Sequence, residues 1–261
     1  MELSFIHSFQ GEWLKKKRSL ASWAVVIGGF FTPTIIIVVR IVYAATLPKT
    51  YAADNFWIQL WGNSWESMSI FLLPMGVVFA TSLITQLEYK NNTWKQLHTL
   101  PLNLTTIFFS KLTVIIVMML QFFILFNAGI YLSALIPYLL VKGVPYPNAP
   151  VPYMAFLKEN ALFFIDCLPI IALQYLVSLK YKNFIVPLGF GFLLWIAAIG
   201  SLSWKYSYLI PYTYTMFNYL KGQVHGRAVT PALSIHLLAI GYFVLFTIIS
   251  YILYIIKKEK G

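Results

Sequence analysis

Apolar residues run for about 20 positions at a time in six stretches of the chain: Leu20 to Leu47, Met68 to Leu87, Leu112 to Ile136, Asn160 to Leu179, Phe184 to Ser203 and Ala232 to Ile256. A helix rises ~1.5 Å per residue, so each stretch is long enough to cross a hydrocarbon core of ~30 Å. Strands of a closed barrel would instead show ~10-residue segments of alternating polarity, which these runs lack. The pattern predicts an all-α polytopic membrane protein of six transmembrane helices, forming one domain over residues 1–261. Pro137, Pro145, Pro147, Pro150 and Pro152 predict an irregular loop after the third helix, because proline removes a backbone donor and clashes with the preceding turn.

Composition agrees with a bilayer solvent: 59% of the residues are apolar and only 10% are charged, against roughly 25% charged in soluble domains. The net charge of +11 falls in short blocks between apolar runs rather than on one continuous basic face, so it reads as membrane orientation and not as nucleic-acid binding. With the N-terminus inside, Lys15, Lys16, Lys17, Arg18, Lys90, Lys95, Lys111, Lys180, Lys182, Lys257, Lys258 and Lys260 lie in the cytoplasm, twelve of the nineteen basic residues. The positive-inside rule therefore puts both termini there. Arg40, near the outer end of the first helix, is expected to snorkel to the headgroups. Trp57, Trp61, Trp65, Trp204, Tyr206, Tyr208, Tyr212, Tyr214 and Tyr219 are expected to form an outer aromatic belt.

Candidate chemistry is sparse. No glycine is followed by lysine, which excludes a Walker A phosphate loop. His7, His98, His225 and His236 fall in separate elements as surface or interfacial residues, and a single cysteine, Cys167, excludes a disulfide or a cysteine zinc site. Asp166 is the one carboxylate inside the apolar runs, where a bare charge costs ~2.5–3.5 kcal/mol, so it must face protein or water. Gln174 lies ~80° from it around the helix, which makes a polar stripe with the kink expected at Pro169. Gln121 and Asn127, neutral residues of the third helix, are candidates for bonding neighbouring helices. Gly28, Gly29, Gly189 and Gly191 permit close helix approach.

Between the second and third helices lies a segment from Glu88 to Lys111. Trp94, Leu97 and Leu100 recur every third residue, which predicts a short helix with one apolar edge over Asn92 to Leu100, ended by Pro101. Such an edge suits either lipid headgroups or a groove on a soluble partner.

That segment, together with Glu12-Trp-Leu-Lys-Lys-Lys-Arg-Ser19 before the first helix, resembles the permease subunits of ABC-2-type exporters, with the bacitracin-resistance and lantibiotic-immunity permeases as the most similar branch. Glu88, Thr93, Lys95, Leu97, Pro101 and Lys111 match that family's loop in order, and Ile210-Pro-Tyr212 is similar to its outer Pro-aromatic element. Asn92 and Leu104 depart from it, where glycine and a basic residue are usual. The resemblance implies an amphipathic N-terminal elbow, a coupling helix made of Glu88, Thr93, Trp94, Lys95, Leu97, Leu100 and Pro101, and a non-catalytic membrane subunit. ATP and Mg would be bound by a separate cytoplasmic ABC ATPase, with no cofactor in this chain. A second permease subunit, identical or homologous, would complete the path in the bacterial cytoplasmic membrane. The implied cargo is peptides, antibiotics or other amphipathic compounds moving outward. The rival reading is a self-sufficient secondary transporter with Asp166 as its ion or proton site.

Overall fold

The computed structural model describes residues 2–17, 19–90, 103–220, 223–224, 227–228 and 233–259. Its helices are α1 (Glu2–Lys16), α2 (Leu20–Val42), α3 (Leu47–Tyr51), α4 (Phe56–Ser67), α5 (Leu73–Lys90), α6 (Leu104–Leu140), α7 (Tyr153–Lys180), α8 (Ile185–Ser201), α9 (Tyr214–Leu220) and α10 (Ile235–Glu259). Two two-residue strands, Gln223–Val224 and Arg227–Ala228, pair antiparallel between α9 and α10. Among the described residues, five helical stretches are long and apolar enough to cross a membrane: Leu20–Val42, Phe56–Leu87, Leu104–Leu140, Tyr153–Lys180 and Ile235–Ile256. α8 is apolar but shorter, 17 residues, which at ~1.5 Å per residue is at the lower limit for a span. α8 corresponds to the fifth of the six apolar stretches of the sequence, Phe184 to Ser203.

The helices run longer than the apolar runs that announce them. α6 has 37 residues, about 55 Å of helix, and so extends well past the hydrocarbon core. Asn103 caps its start by accepting from the Thr105 N–H at 3.2 Å. Near its other end Pro137 cannot donate to the carbonyl four residues back. That carbonyl, on Ser133, accepts from Arg40 Nη1 at 3.1 Å, and the next one, on Ala134, accepts from the Tyr51 hydroxyl at 2.8 Å. Arg40 is thus turned inward rather than snorkelling, with its guanidinium 5.3 Å from the Tyr51 ring centre and 5.0 Å from that of Phe56.

α4 continues into α5 through a widened π turn over Met68–Leu72. Such a turn loosens the backbone ladder, and in a membrane the freed carbonyls need internal partners. Thr215 Oγ1 donates to Ser69 O at 2.8 Å, and Trp195 Nε1 to Ile70 O at 2.7 Å. These bonds fasten α9 and α8 to the turn. Trp57, Trp61 and Trp65 therefore belong to a helix and not to an outer loop. Trp65 is fully buried, stacked on Phe163 with ring centres 3.9 Å apart. Tyr212 and Tyr214 are also core residues, whereas Trp204 and Tyr206 are exposed as a belt requires.

Close approach of α2 and α6 rests on small residues. A side-chain carbon on Gly29 would meet Leu125 Cβ at 3.0 Å, and one on Gly129 would stand 2.7 Å from Pro33 Cγ. Gly191 of α8 leaves comparable room for Val78, while Gly189 faces open space. α5, α6 and α7 form the centre of the bundle. By contrast, only 22% of the most apolar stretch of α2 and 11% of that of α10 is buried, so both turn broad apolar faces outward, as lipid-facing helices do.

Candidate functional site

Three polar features stand out within this apolar frame. The first lies at the end of the bundle where α5 finishes and α6 begins. The backbone of Glu88 is in the last turns of α5; its side chain, and all of Thr93, Trp94, Lys95, Leu97, Leu100 and Pro101, lie outside the described residues. Beside this end, α1 is fixed along α6 by three contacts. Ser8 and Ser110 share a hydrogen bond of 2.8 Å, buried Glu12 pairs with Lys15 and approaches buried Lys111 at 3.9 Å, and Lys16 Nζ donates to Gln121 Oε1 at 2.6 Å. Lys16 also sits 3.6 Å from the centre of the Trp13 ring, and burial pushes its ammonium below the ordinary lysine range. Gln121 therefore serves the elbow helix, a use the sequence did not disclose.

The second feature is a buried polar cluster around Asp166. The carboxylate is fully buried, and its Oδ1 lies 2.7 Å from Nδ1 of His236 at the start of α10. Asn218 of α9 lies beside it, and Glu159 of α7 and Tyr214 of α9 are near enough to interact electrostatically. Asp166 Oδ2, Asn218 Nδ2 and the Tyr214 hydroxyl are buried without a hydrogen-bond partner among the described residues. The cluster joins three elements beneath the Pro211–Thr213 turn, where Thr213 Oγ1 donates to Ser207 O at 3.0 Å. His236 is thus a partner of Asp166 rather than a surface residue. Gln174 does not extend this cluster, because its Nε2 donates to Ser82 Oγ at 2.8 Å and to Pro187 O at 2.7 Å, tying α7 to α5 and α8. The expected stripe along α7 is two separate sites facing different neighbours.

The third feature is a cleft of about 700 Å³ between α4, α6 and α7. Asn127 and Asn160 bridge α6 and α7 there by reciprocal amide bonds of 2.8 and 3.0 Å. Each amide also donates to the carbonyl one turn before it, Phe123 O and Phe156 O. Trp61 stacks on Phe156 and Trp57 on Tyr131 along its wall. Side-chain hydrogen bonds between membrane helices are worth roughly 0.6–2 kcal/mol. Asn127→Ala and Asn160→Ala are each expected to lower stability by about that amount, and the double substitution by little more than either alone. A double-mutant cycle on unfolding in one lipid–detergent mixture measures this; full additivity would mean that the pair does not act as a clasp.

No three or more histidine, cysteine, aspartate or glutamate side chains cluster to hold a metal among the described residues. No curated protein and no solved structure matches the chain. A family model described as ABC-2 family transporter protein matches residues 8–198, from the elbow helix into α8 and across all three features just described except α9 and α10. That match covers well over half of the chain and takes in the elbow, the α5–α6 end and Asp166: the chain belongs to the ABC-2 transporter family, as a multi-pass membrane permease subunit of an ABC exporter.

Proposed function

We propose that the segment from Glu88 to Pro101, at the junction of α5 and α6, seats in a cleft of a separate cytoplasmic ATPase that binds ATP and Mg, and that α6 relays the ATPase stroke into the membrane. The observation that carries this reading is the continuity of α6. It leaves the 91–102 segment as a helix of about 55 Å, bonded near its start to α1 through Ser110 and Lys111 and farther along to α2, α4 and α7. A displacement at Leu104 therefore reaches Asn127 and Ser133 along a single rod. A second permease subunit, identical or homologous, completes the path. The cargo is amphipathic, a peptide or antibiotic of the kind handled by the bacitracin-resistance and lantibiotic-immunity permeases.

Both termini are cytoplasmic in this reading. Gln86 Nε2 donates to Tyr181 O at 3.1 Å and Thr105 shares a 2.7 Å bond with Tyr251, so the α5–α6, α7–α8 and C-terminal ends gather on one side. Lys111, Lys180 and Lys182 lie at that end of the bundle, in keeping with the positive-inside rule. Reporter fusions after Lys182 and at the C-terminus are expected to signal cytoplasm. Purified from its native membrane, the chain is expected to bring a Walker A ATPase with it. A chain that purifies alone and supports ion-driven transport would favour the secondary-transporter reading.

A further inference from the structure

We infer that the cleft between α4, α6 and α7 is a lipid site that holds one acyl chain of an outer-leaflet phospholipid. Its depth in the bilayer follows from α2. The stretch of α6 that lines the cleft, Leu120 to Tyr131, carries on another side the contacts with Gly28, Gly29 and Pro33 at the middle of α2. The cleft therefore lies at hydrocarbon depth.

Its length along α6 is 12 residues, a rise of about 16 Å, close to half of a ~30 Å hydrocarbon core and so to the reach of one leaflet's chains. Its volume of about 700 Å³ is that of an ordinary ligand site. Among the described residues no charged side chain lines it. The two amides within it, Asn127 and Asn160, are already committed to each other and to backbone carbonyls, which leaves hydrocarbon and aromatic faces for the occupant.

Access comes from the bilayer. Leu120, Ile124 and Leu157 on the rim are 42%, 68% and 66% exposed, and a span presents such residues to lipid rather than to water. Tyr131 and Tyr153 stand at the outer end of the cleft, with the Tyr131 hydroxyl 3.4 Å from that of Tyr146. Tyrosines belong at headgroup level, so the tail enters from that end and its headgroup remains outside. The inference rests on the membrane-spanning fold and on the cytoplasmic placement of the termini, and not on the ATPase partner, so its failure would leave the exporter reading intact.

The test uses the full chain in phosphatidylcholine vesicles that contain a phosphatidylcholine with a mid-chain diazirine on one acyl tail. After illumination, peptides are mapped by mass spectrometry. Adducts are expected on residues 120–131 and 153–165 at about fivefold the level per exposed residue found on the lipid faces of α2 and α10, a preference of ~1 kcal/mol. Ala161→Trp, which fills the cleft from its exposed rim, is expected to bring the cleft adducts down to the α2 and α10 level without changing those faces. Ile124→Trp, on the facing wall, is expected to do the same. Uniform labelling of all exposed apolar faces would overturn the inference, as would cleft adducts that survive both substitutions. Peptides of the cleft cross-linked to a second copy of the chain, with no lipid adduct, would also overturn it and make the cleft a protein contact.

Discussion

Asp166→Leu is expected to destabilise the folded protein by about 3 kcal/mol, the lower end of the range for breaking a buried pair by removing one partner. The carboxylate is fully buried and lies 2.7 Å from His236. Leucine removes that acceptor and puts an apolar side chain beside Asn218 and Tyr214, which interact with the carboxylate. His236 is 27% exposed, and its ring can turn partly toward the surface, which keeps the loss at the low end. Asp166→Asn retains the size and an acceptor oxygen, so about 1 kcal/mol is expected, the scale of an ordinary hydrogen bond. His236→Ala should cost nearly as much as Asp166→Leu, because it strands a buried carboxylate. Unfolding in a fixed lipid–detergent mixture gives all three values. If Asp166→Leu lies within about 0.5 kcal/mol of the natural chain, as a surface change would, the pair does not hold α10 against α7.

Gly129→Val is expected to cost about 1–3 kcal/mol, the usual penalty of overpacking. A Cβ at Gly129 would stand 2.7 Å and 2.8 Å from two ring carbons of Pro33, and 3.2 Å from Phe30 Cδ1. The proline ring is bonded to its own backbone and cannot rotate away, so α2 must move off α6 and give up the Gly28 and Gly29 contacts beside it. Gly189→Ala is the contrast within the same chain. Nothing lies within 4 Å of its added carbon, and alanine favours a helix over glycine by about 0.8–1 kcal/mol. Comparing the thermal unfolding midpoints of the two variants checks the geometry; equal and small shifts would mean that α2 and α6 are not in close contact.

Hydropathy showed where the helices cross but not where they end. Phe56–Ser67 contains Gln59, Asn63, Ser64, Glu66 and three tryptophans, which lowers its hydropathy enough to read as an outer loop. In the folded chain the indoles pack on Phe123, Phe126, Phe156 and Phe163, and that burial makes the segment helical. Pro137, which removes a backbone donor, predicts the end of the third helix. Arg40 supplies the donor that Ser133 lacks, and the helix continues to Leu140. That compensation comes from 93 residues away in the chain, so no local reading contains it.

The candidate polar residues were legible as residues and not as partnerships. The cost of a carboxylate in hydrocarbon singles out Asp166, whereas His236 by itself reads as interfacial. Both lie toward the outer ends of their apolar runs, and a carboxylate and an imidazole at matching depth were the signal available for pairing them. Asn127 reads as a candidate for bonding a neighbouring helix, but nothing local in the chain connects it to Asn160, at the first position of the next apolar run. Gln121 gave no hint of Lys16, because a lysine before the first span is normally explained by membrane orientation alone.

The most direct test of the coupling account is ATPase retention by a Trp94→Ala, Glu88→Ala double variant, compared with the natural chain at equal membrane levels. An aromatic side chain in a pocket buries ~150–250 Å², at ~25 cal/mol per Å² several kcal/mol before ordering costs are subtracted. Glu88 adds a polar contact of smaller energy. The account predicts that the double variant inserts normally, loses most of the copurifying ATPase, and no longer stimulates ATP hydrolysis in reconstituted vesicles. Unchanged ATPase retention together with unchanged hydrolysis would contradict it.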